Sequence, residues 1–137
     1  MRLDNDCIFC RISQRQSRAY IVHETTNFLC FFPIEPDVYG HTLIASKEHY
    51  RDLGDCPSEF GQEFFALAQF LSRLYGERVG ATGFNLLNAN GKSAEQSIDH
   101  LHFHFFPRLE EDGLKTWPAL PPIEVDLDKL YKLLRGS

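Results

Sequence analysis

The run from His100 to Phe106 places three histidines in alternation with large apolar residues. A β-strand turns successive side chains to opposite faces, so this pattern predicts a strand whose three imidazoles share one face. The opposite face then carries Leu101, Phe103 and Phe105 into a core. At about 3.3 Å per residue, the first and last imidazoles stand roughly 13 Å apart, which lets them play different roles.

Three explanations of this histidine strand are open. Histidines in strands often serve only structure, but a buried imidazole needs a hydrogen-bond partner, so three of them are costly core residues. Histidines at positions i and i+2 could instead share a metal ion, as in a three-histidine site. The third explanation, which we favour, is imidazole chemistry on an anionic substrate.

The composition limits the kinds of ligand and partner that this chain is expected to bind. The 137 residues suffice for one domain with a sizeable core, and twelve phenylalanines supply it. A net charge of −5 and a pI near 5.6 argue against broad nucleic-acid or anionic-membrane binding. A small phosphate ligand is compatible, because a few local donors can hold it. We see neither an apolar run of transmembrane length nor a signal-peptide core, which predicts a cytoplasmic protein.

Two of the four cysteines, Cys7 and Cys10, form a Cys-x-x-Cys pair. In an intracellular protein such a pair suggests metal or redox chemistry more than a disulfide, although alone it is a weak signal. Cys30 lies in an apolar run and is expected in the core, and Cys56 precedes a proline in an expected loop.

Periodicity predicts five short strands and two helices. The strands are expected at Ala19–Glu24, Asn27–Phe32, Thr42–Ser46, Phe84–Asn88 and Asp99–Pro107. The main helix is expected over Ser58–Arg78 with Ser58 as its N-cap, and a short terminal helix over Asp126–Leu134. The main helix carries a stripe of core-facing type: Phe60, Phe64, Leu67, Leu71 and Leu74. Short turns favour antiparallel pairing, so the predicted class is α+β, with the helix on one sheet face and the histidines on the other.

The central ring of the histidine strand, His102, is a candidate nucleophile. Imidazole is largely unprotonated near pH 7, and its attack on an activated phosphorus would divide one displacement into two easier steps. The leaving group then needs a proton donor, and the non-bridging oxygens need hydrogen bonds. His104, Gln96 and Ser97 are the candidates by position.

The run His-Leu-His-Phe-His-Phe-Phe resembles the signature of the histidine triad superfamily. Other matching segments, in the family's order, are Cys7–Cys10, Gly40–Ile44, Lys47–His49, Gly83–Asn88 and Ala94–His100. The resemblance implies a single domain over 1–137, with a core at about 7–108, a tail at 109–137 and a five-stranded antiparallel sheet in each protomer of a homodimer. It implies hydrolysis or transfer of nucleotidyl groups from phosphoramidates, dinucleoside polyphosphates or related anhydrides.

The resemblance also implies roles for individual residues. His102 corresponds to the nucleophile that forms a covalent nucleotidyl intermediate, and His104 to the residue that contacts the phosphate and assists the leaving group. Gln96 and Ser97 match positions that hydrogen-bond near the phosphate, and His41 matches one that supports the nucleophile's surroundings. Substrate binding is expected from Asn88, Asn90, Gln96, Ser97 and His104.

Some bacterial members of the superfamily bind structural zinc through two cysteines and two histidines. The residues that match those positions are Cys7, Cys10, His49 and His100. A closed set of four such ligands is a tetrahedral structural zinc site, and it would leave the second and third histidines of the triad for chemistry. The alternative is a zinc-free loop with reduced thiols.

Two positions depart from the family pattern. Pro33 stands where an aspartate or asparagine usually binds the ribose hydroxyls, and Glu35 is a nearby candidate for that role. Ala89 stands where asparagine or glutamine is common beside the phosphate, with Asn88 and Asn90 on either side. We therefore expect a weaker preference for ordinary purine nucleotides than a typical member shows.

Two other functions are open: a nucleotide-binding regulatory protein with little turnover, and a hydrolase of a non-nucleotide phosphate ester. The tail around Trp117 resembles in placement the tails that reach the partner's active site in some members. The alternative is a tail packed on its own protomer.

Overall fold

The computed structural model describes residues 1–136. Within them the strands are β1 (Ile21–Glu24), β2 (Phe28–Phe31), β3 (Thr42–Ser46), β4 (Gly83–Leu87) and β5 (His102–Arg108). The α-helices are α1 (Ile8–Ser13), α2 (Phe60–Val79) and α3 (Leu127–Arg135), and short 3-10 turns lie at Leu53–Asp55 and Lys92–Ala94. The short helix α1 has no counterpart among the predicted elements, because its six residues are too few to show a helical period.

The strands form one antiparallel sheet in the order β1-β2-β3-β5-β4, which confirms the predicted class and sheet. β5 is an interior strand: His102 lies opposite Ala45 of β3, and His104 lies opposite Leu87 of β4. His104 is paired with both neighbouring strands, so its backbone is fixed from both sides, whereas His102 is paired with β3 alone.

The two faces of the sheet carry separate cores. On one face, Phe105 of β5 packs in a cluster with Leu71 of α2. On the other, Leu43 of β3 packs in a cluster with Phe9 of α1. The ring of His102 lies 5.1 Å from that of Phe9, on the α1 side. The predicted alternation of core and histidine faces is therefore confirmed.

The segment before β5 differs from the prediction that the strand begins at Asp99. His100 lies outside the strand: its N–H donates to the carbonyl of Ile98 at 2.8 Å, and the N–H of Leu101 donates to the carbonyl of Tyr50 at 2.6 Å. These bonds direct the chain toward the loop after β3 instead of continuing the ladder. The first histidine is thereby given different partners from the other two.

The main helix α2 begins at Phe60, and Ser58 is not its N-cap. The N-cap position is Glu59, which makes no side-chain capping bond. The helix ends before Gly80, whose φ of 76° is a left-handed conformation that glycine adopts without strain. The predicted stripe packs against the core cluster: Phe60, Phe64, Leu67, Leu71 and Leu74.

The chain after β5 forms an exposed tail that ends in α3. The guanidinium of Arg108 fixes the start of this tail through bonds to Asp112 at 2.8 and 2.9 Å. No residue of α3 is buried, and Trp117 is 86% exposed, so this segment does not pack on its own protomer. Across residues 1–136, no helix combines the length and apolar character that a membrane crossing requires.

Candidate active site and metal centre

The orientation of His102 is set by the backbone beside it. Its Nδ1 lies 2.7 Å from the carbonyl oxygen of His100, and only a protonated nitrogen can donate to that oxygen. The tautomer inferred from this bond leaves Nε2 with a free lone pair. Burial lowers the pKa of His102, so the ring is neutral at pH 7. The side-chain amide of Asn88 donates to the His102 carbonyl at 2.8 Å and fixes the strand at this point.

His104 is paired with His41, which lies just before β3. His41 Nδ1 accepts the backbone N–H of Asp37 at 3.0 Å, so its ring proton is assigned to Nε2. That Nε2 lies 2.9 Å from His104 Nδ1, to which it donates. His104 then carries its own proton on Nε2. Burial is the largest cause lowering the pKa of His41, and burial lowers that of His104 to about 4.

A cleft of about 710 Å³ opens beside this histidine pair. His41, His104 and Ser97 line it, and its apolar wall includes Phe9. His102 is only 6% exposed and does not line the cleft, but its ring lies 5.1 Å from Phe9 and 5.2 Å from His104. Two residues of the cleft wall, Phe9 and His104, are thus the direct neighbours of His102.

The loop before β5 holds the remaining predicted site residues, and it engages most of them in backbone contacts. The Gln96 side chain accepts the Gly91 N–H at 2.8 Å and donates to the carbonyls of Arg51 at 2.7 Å and Ile98 at 2.9 Å. All its polar atoms are thus committed to shaping the loop. Ser97 is exposed and does line the cleft.

The side chains of Asn88 and Asn90 also make hydrogen bonds to other protein groups. The Asn90 amide donates to Asn88 Oδ1, and its own oxygen accepts the Leu53 N–H at 2.7 Å. The structure thus brings His41, His104 and Ser97 together at the cleft. The side chains of Asn88 and Asn90 do not line the cleft and bond to other protein groups instead.

Two site residues were not predicted from the sequence. Asp37 lines the cleft and holds His41 through its backbone, and Ser46 holds His100 through its carbonyl at 2.7 Å. The one available signal for Asp37 was an acidic residue between a proline and the histidine before a strand. Ser46 carried no signal, because its carbonyl and its hydroxyl, the latter 3.2 Å from His100 Nε2, meet a histidine 54 residues away in the chain.

Four potential metal ligands converge on the α1 side of the sheet. The ligand atoms of Cys7, Cys10, His49 and His100 all lie within 4.8 Å of one another. Three of the four sulfur–nitrogen pairs lie at 3.3, 3.4 and 3.6 Å. Tetrahedral zinc with ordinary Zn–S and Zn–N bonds separates such atoms by about 3.6 Å, so the donor set fits that ion.

The second nitrogen of His100 supports this assignment. Nε2 donates to the carbonyl of Ser46 at 2.7 Å, which leaves Nδ1 unprotonated toward the thiols of Cys7 and Cys10. A backbone carbonyl on the far nitrogen is the usual way to orient a ligating imidazole. Among residues 1–136 the three histidines of the motif do not converge on one point, so the three-histidine metal site is wrong.

Together the fold and the site define a class: an antiparallel α+β protein with an oriented, neutral imidazole next to a four-residue metal-type cluster. A family model described as HIT domain matches residues 14–111. The chain belongs to the HIT family, as its histidine motif predicts.

Individual relatives agree with this assignment. Adenosine 5'-monophosphoramidase HNT1 of Saccharomyces cerevisiae is 37% identical over 133 residues, which cover 96% of this chain and 80% of that protein. Adenylylsulfatase HINT3 of Arabidopsis thaliana is 35% identical over 127 residues, covering 93% of this chain and 64% of that protein. A Zn-bound histidine triad family protein from Mycobacterium smegmatis has a TM-score of 0.75 at 34% identity, covering 95% of this chain and 91% of that one.

These findings confirm the predicted family, its fold and its enzyme class, since both named relatives are hydrolases. The roles predicted for individual residues, the zinc ion and the homodimer stay predictions.

Proposed function

We propose that this chain is a nucleotidyl hydrolase or transferase in which His102 forms a covalent nucleotidyl-histidine intermediate. The observation that carries the proposal is the 2.7 Å bond from His102 Nδ1 to the His100 carbonyl, which turns an unprotonated Nε2 away from the backbone. A neutral imidazole with a free lone pair is a competent nucleophile for phosphorus.

The proposed reaction has two steps. In the first, His102 Nε2 forms a bond to phosphorus, and the electron pair of the breaking bond goes to the leaving atom. When that atom needs a proton, it takes one from His104 in the protonated form of the His41–His104 pair. In the second, a water oxygen attacks phosphorus, the phosphorus–nitrogen bond breaks, and the electron pair returns to His102 Nε2. One proton of that water returns to His104 where the leaving group had taken one, and passes to solvent where it had not, so that the starting state is restored in both cases.

The substrate class follows from the relatives and from the cleft. The relatives' names describe cleavage of an adenosine 5'-monophosphoramidate and of an adenylyl sulfate, which share an adenylyl group and differ in the leaving group. The cleft beside His104 offers an apolar wall that includes Phe9, Phe31 and Leu43, and such a wall suits a nucleobase. We therefore propose a nucleoside phosphoramidate or a related anhydride as the substrate.

Zinc at Cys7, Cys10, His49 and His100 belongs to the proposal as a structural ion. A closed set of four nitrogen and sulfur ligands leaves no open position, so zinc bound there would supply folding energy and no chemistry at phosphorus. The four ligands come from α1 and its N-cap residue, from the loop after β3 and from the segment before β5. The ion would therefore join three parts of the chain next to the proposed nucleophile.

We also propose the homodimer implied by the family. Strand β4 is an edge of the sheet, and it exposes Phe84 at 38% and Leu86 at 40%. Apolar side chains on an edge strand favour burial against another chain. Light scattering of the purified protein should give twice the protomer mass, and a monomer would contradict this part of the proposal.

The covalent step is tested by intact mass spectrometry after brief mixing with adenosine 5'-phosphoramidate. The wild-type protein should gain the mass of one adenylyl group or release product, and His102→Asn should do neither. Phe65→Ala, on an exposed position of α2, is a matched control that should react like the wild type. An adduct that persists in His102→Asn would place the nucleophile elsewhere.

A nucleotide-binding protein with little turnover is the second candidate. The observation that favours it is the burial of His102, which is 6% exposed and off the cleft wall. This function predicts nucleotide binding that survives in both wild type and His102→Asn, without adduct or product from either.

A further inference from the structure

The two-proline loop between β2 and β3 brings a carboxylate to the histidine pair. Asp37 lines the same cleft as His41 and His104, and its backbone N–H donates to His41 Nδ1 at 3.0 Å. Its side chain is exposed and makes no hydrogen bond or ion pair with other groups of residues 1–136. A carboxylate beside an anionic substrate is unfavourable in itself, so its position needs a reason.

The hydrogen bonds of the pair define what its neutral form can do. The Asp37 N–H donates a hydrogen bond to His41 Nδ1, and His41 Nε2 donates one to His104 Nδ1 at 2.9 Å. His104 Nε2 carries the last proton of the chain. If a leaving atom removed that proton from the neutral pair, one ring would become an imidazolate, which is too basic to form at pH 7. The pair must therefore take up a proton before it can protonate a leaving group.

Several charged or titratable groups decide how easily the pair takes up that proton. His102 of β5 faces His104 from the same strand, and Arg18, Glu35 and Asp37 lie on the cleft wall. Burial and the neighbouring imidazoles lower the pKa of His104, whereas Asp37 raises the pKa of both His104 and His41. Glu35 is a second cleft carboxylate, but it is not among the groups that shift either imidazole.

We propose that Asp37 is the positioning residue that lets the His41–His104 pair hold the proton required by a poor leaving group. The inference rests on the proposed function, because it assigns Asp37 a part in the first step of that reaction. Asp37 touches neither phosphorus nor the leaving atom; it acts through the two imidazoles.

The leaving group determines whether this proton is needed. When an adenosine 5'-phosphoramidate reacts, the bond between phosphorus and nitrogen breaks, and the nitrogen must take one proton to depart as ammonia. The proton comes from the cationic pair, which is left neutral, and attacking water later returns one. When an adenosine 5'-phosphosulfate reacts, sulfate departs as a stable dianion and takes no proton. Asp37 should therefore matter for the first substrate and not for the second.

The test compares these two substrates in Asp37→Asn and in the matched variant Glu35→Gln. At pH 7, Asp37→Asn should lower kcat for the phosphoramidate by about 3- to 10-fold, as expected for losing one partly solvated opposite charge. Hydrolysis of the phosphosulfate should be unchanged. The pH at which phosphoramidate turnover declines should move downward in Asp37→Asn and stay in place in Glu35→Gln, whatever Glu35→Gln does to KM.

A readout independent of turnover separates this inference from the proposed function. In protein with ¹⁵N-labelled histidine, the ring signals of His41 and His104, assigned with His41→Asn and His104→Asn, should titrate at lower pH in Asp37→Asn. If the titrations move but neither substrate is turned over, the role assigned to Asp37 stands and the proposed function is rejected. An equal loss for both substrates, or unmoved titrations, would overturn the assignment of Asp37.

Discussion

The carbonyl of His100 accepts the Nδ1 proton of His102 at 2.7 Å, while the His100 ring faces two thiols. One residue thus contributes its side chain to the metal-type cluster and its backbone to the orientation of the proposed nucleophile. The His100 ring is also held by the Ser46 carbonyl at 2.7 Å, so the cluster is linked through hydrogen bonds to the strand that carries the proposed nucleophile. The state of the cluster should therefore affect the orientation of His102 as well as stability.

Cys10→Ser should remove zinc from the protein and lower activity by about ten- to a hundredfold, the range seen when groups that orient a site are lost. Cys10 is fully buried, and burial raises its thiol pKa to about 11, so without a cation the thiolate is not favoured. Zinc content by elemental analysis checks the first effect, and turnover of adenosine 5'-phosphoramidate checks the second.

Cys56→Ser is the control for this experiment, because Cys56 lies outside the cluster and is only partly buried. It should keep both zinc and activity. In Cys10→Ser, the imidazole ¹⁵N signals of His102 should also show that the Nδ1 bond has weakened. Full activity in zinc-free Cys10→Ser would show that the His100 carbonyl is held well enough without the cluster.

Acid should destabilise the protein between about pH 6.5 and pH 4 through His104 and its partner His41. Burial keeps both rings neutral in the folded chain, with the pKa of His104 at about 4, whereas an unfolded histidine takes a proton near pH 6.5. The unfolded state therefore binds more protons in this window, so stability present above pH 6.5 is lost as pH falls toward 4. Urea unfolding at pH 7.0, 5.5 and 4.5 measures this loss.

His104→Asn is the comparison for the pH series, since it removes one of the titrating rings and keeps the four predicted metal ligands. Its unfolding free energy should fall less steeply over the same window. Parallel curves for the two proteins, with zinc retained in both, would exclude His104 as a source of the pH dependence.

Leu71→Ala should lower the free energy of unfolding by about 2–5 kcal/mol. Leu71 lies in α2, has no exposed surface, and packs in the same cluster as Phe105 on the reverse of the histidine strand. Gln69→Ala, on an exposed position of the same helix, should change it by less than about 0.5 kcal/mol. Equal effects of the two substitutions in urea unfolding would contradict the packing described for α2.

The sheet could be predicted from the sequence because its signals are local. Alternation around Phe103 and Phe105 assigns the strand and both of its faces, and the stripe that includes Leu71 assigns the helix side. Outside the start of β5, the predicted strand bounds lie within two residues of those observed. The alternation and the stripe show which side chains face the core, and the fold requires one face of each strand and helix to be buried.

The contacts that complete the site could not be predicted in this way. His100 continues the alternating pattern but lies outside the strand, because its own N–H bonds to Ile98 and the N–H of Leu101 bonds to Tyr50 in the loop after β3. Asp37 reaches the histidine pair through the conformation of a loop, and Gln96 uses its amide to hold another loop. Each of these contacts has a main-chain group on one side, and a main-chain group carries no residue-type signal.

Pro33→Asp should strengthen the binding of AMP by about ten- to a hundredfold, the range for one hydrogen bond to a charged group. Pro33 lines the cleft near His104, and a proline side chain offers no hydrogen-bonding atom to a ribose. An aspartate there could accept bonds from both ribose hydroxyls. Calorimetry with AMP and with 2',3'-dideoxy-AMP isolates this effect, because the second ligand lacks those hydroxyls and should bind both proteins alike. A gain shared by the two ligands would trace to removal of the proline and not to ribose recognition, and no gain with either would show that ribose hydroxyls do not approach residue 33.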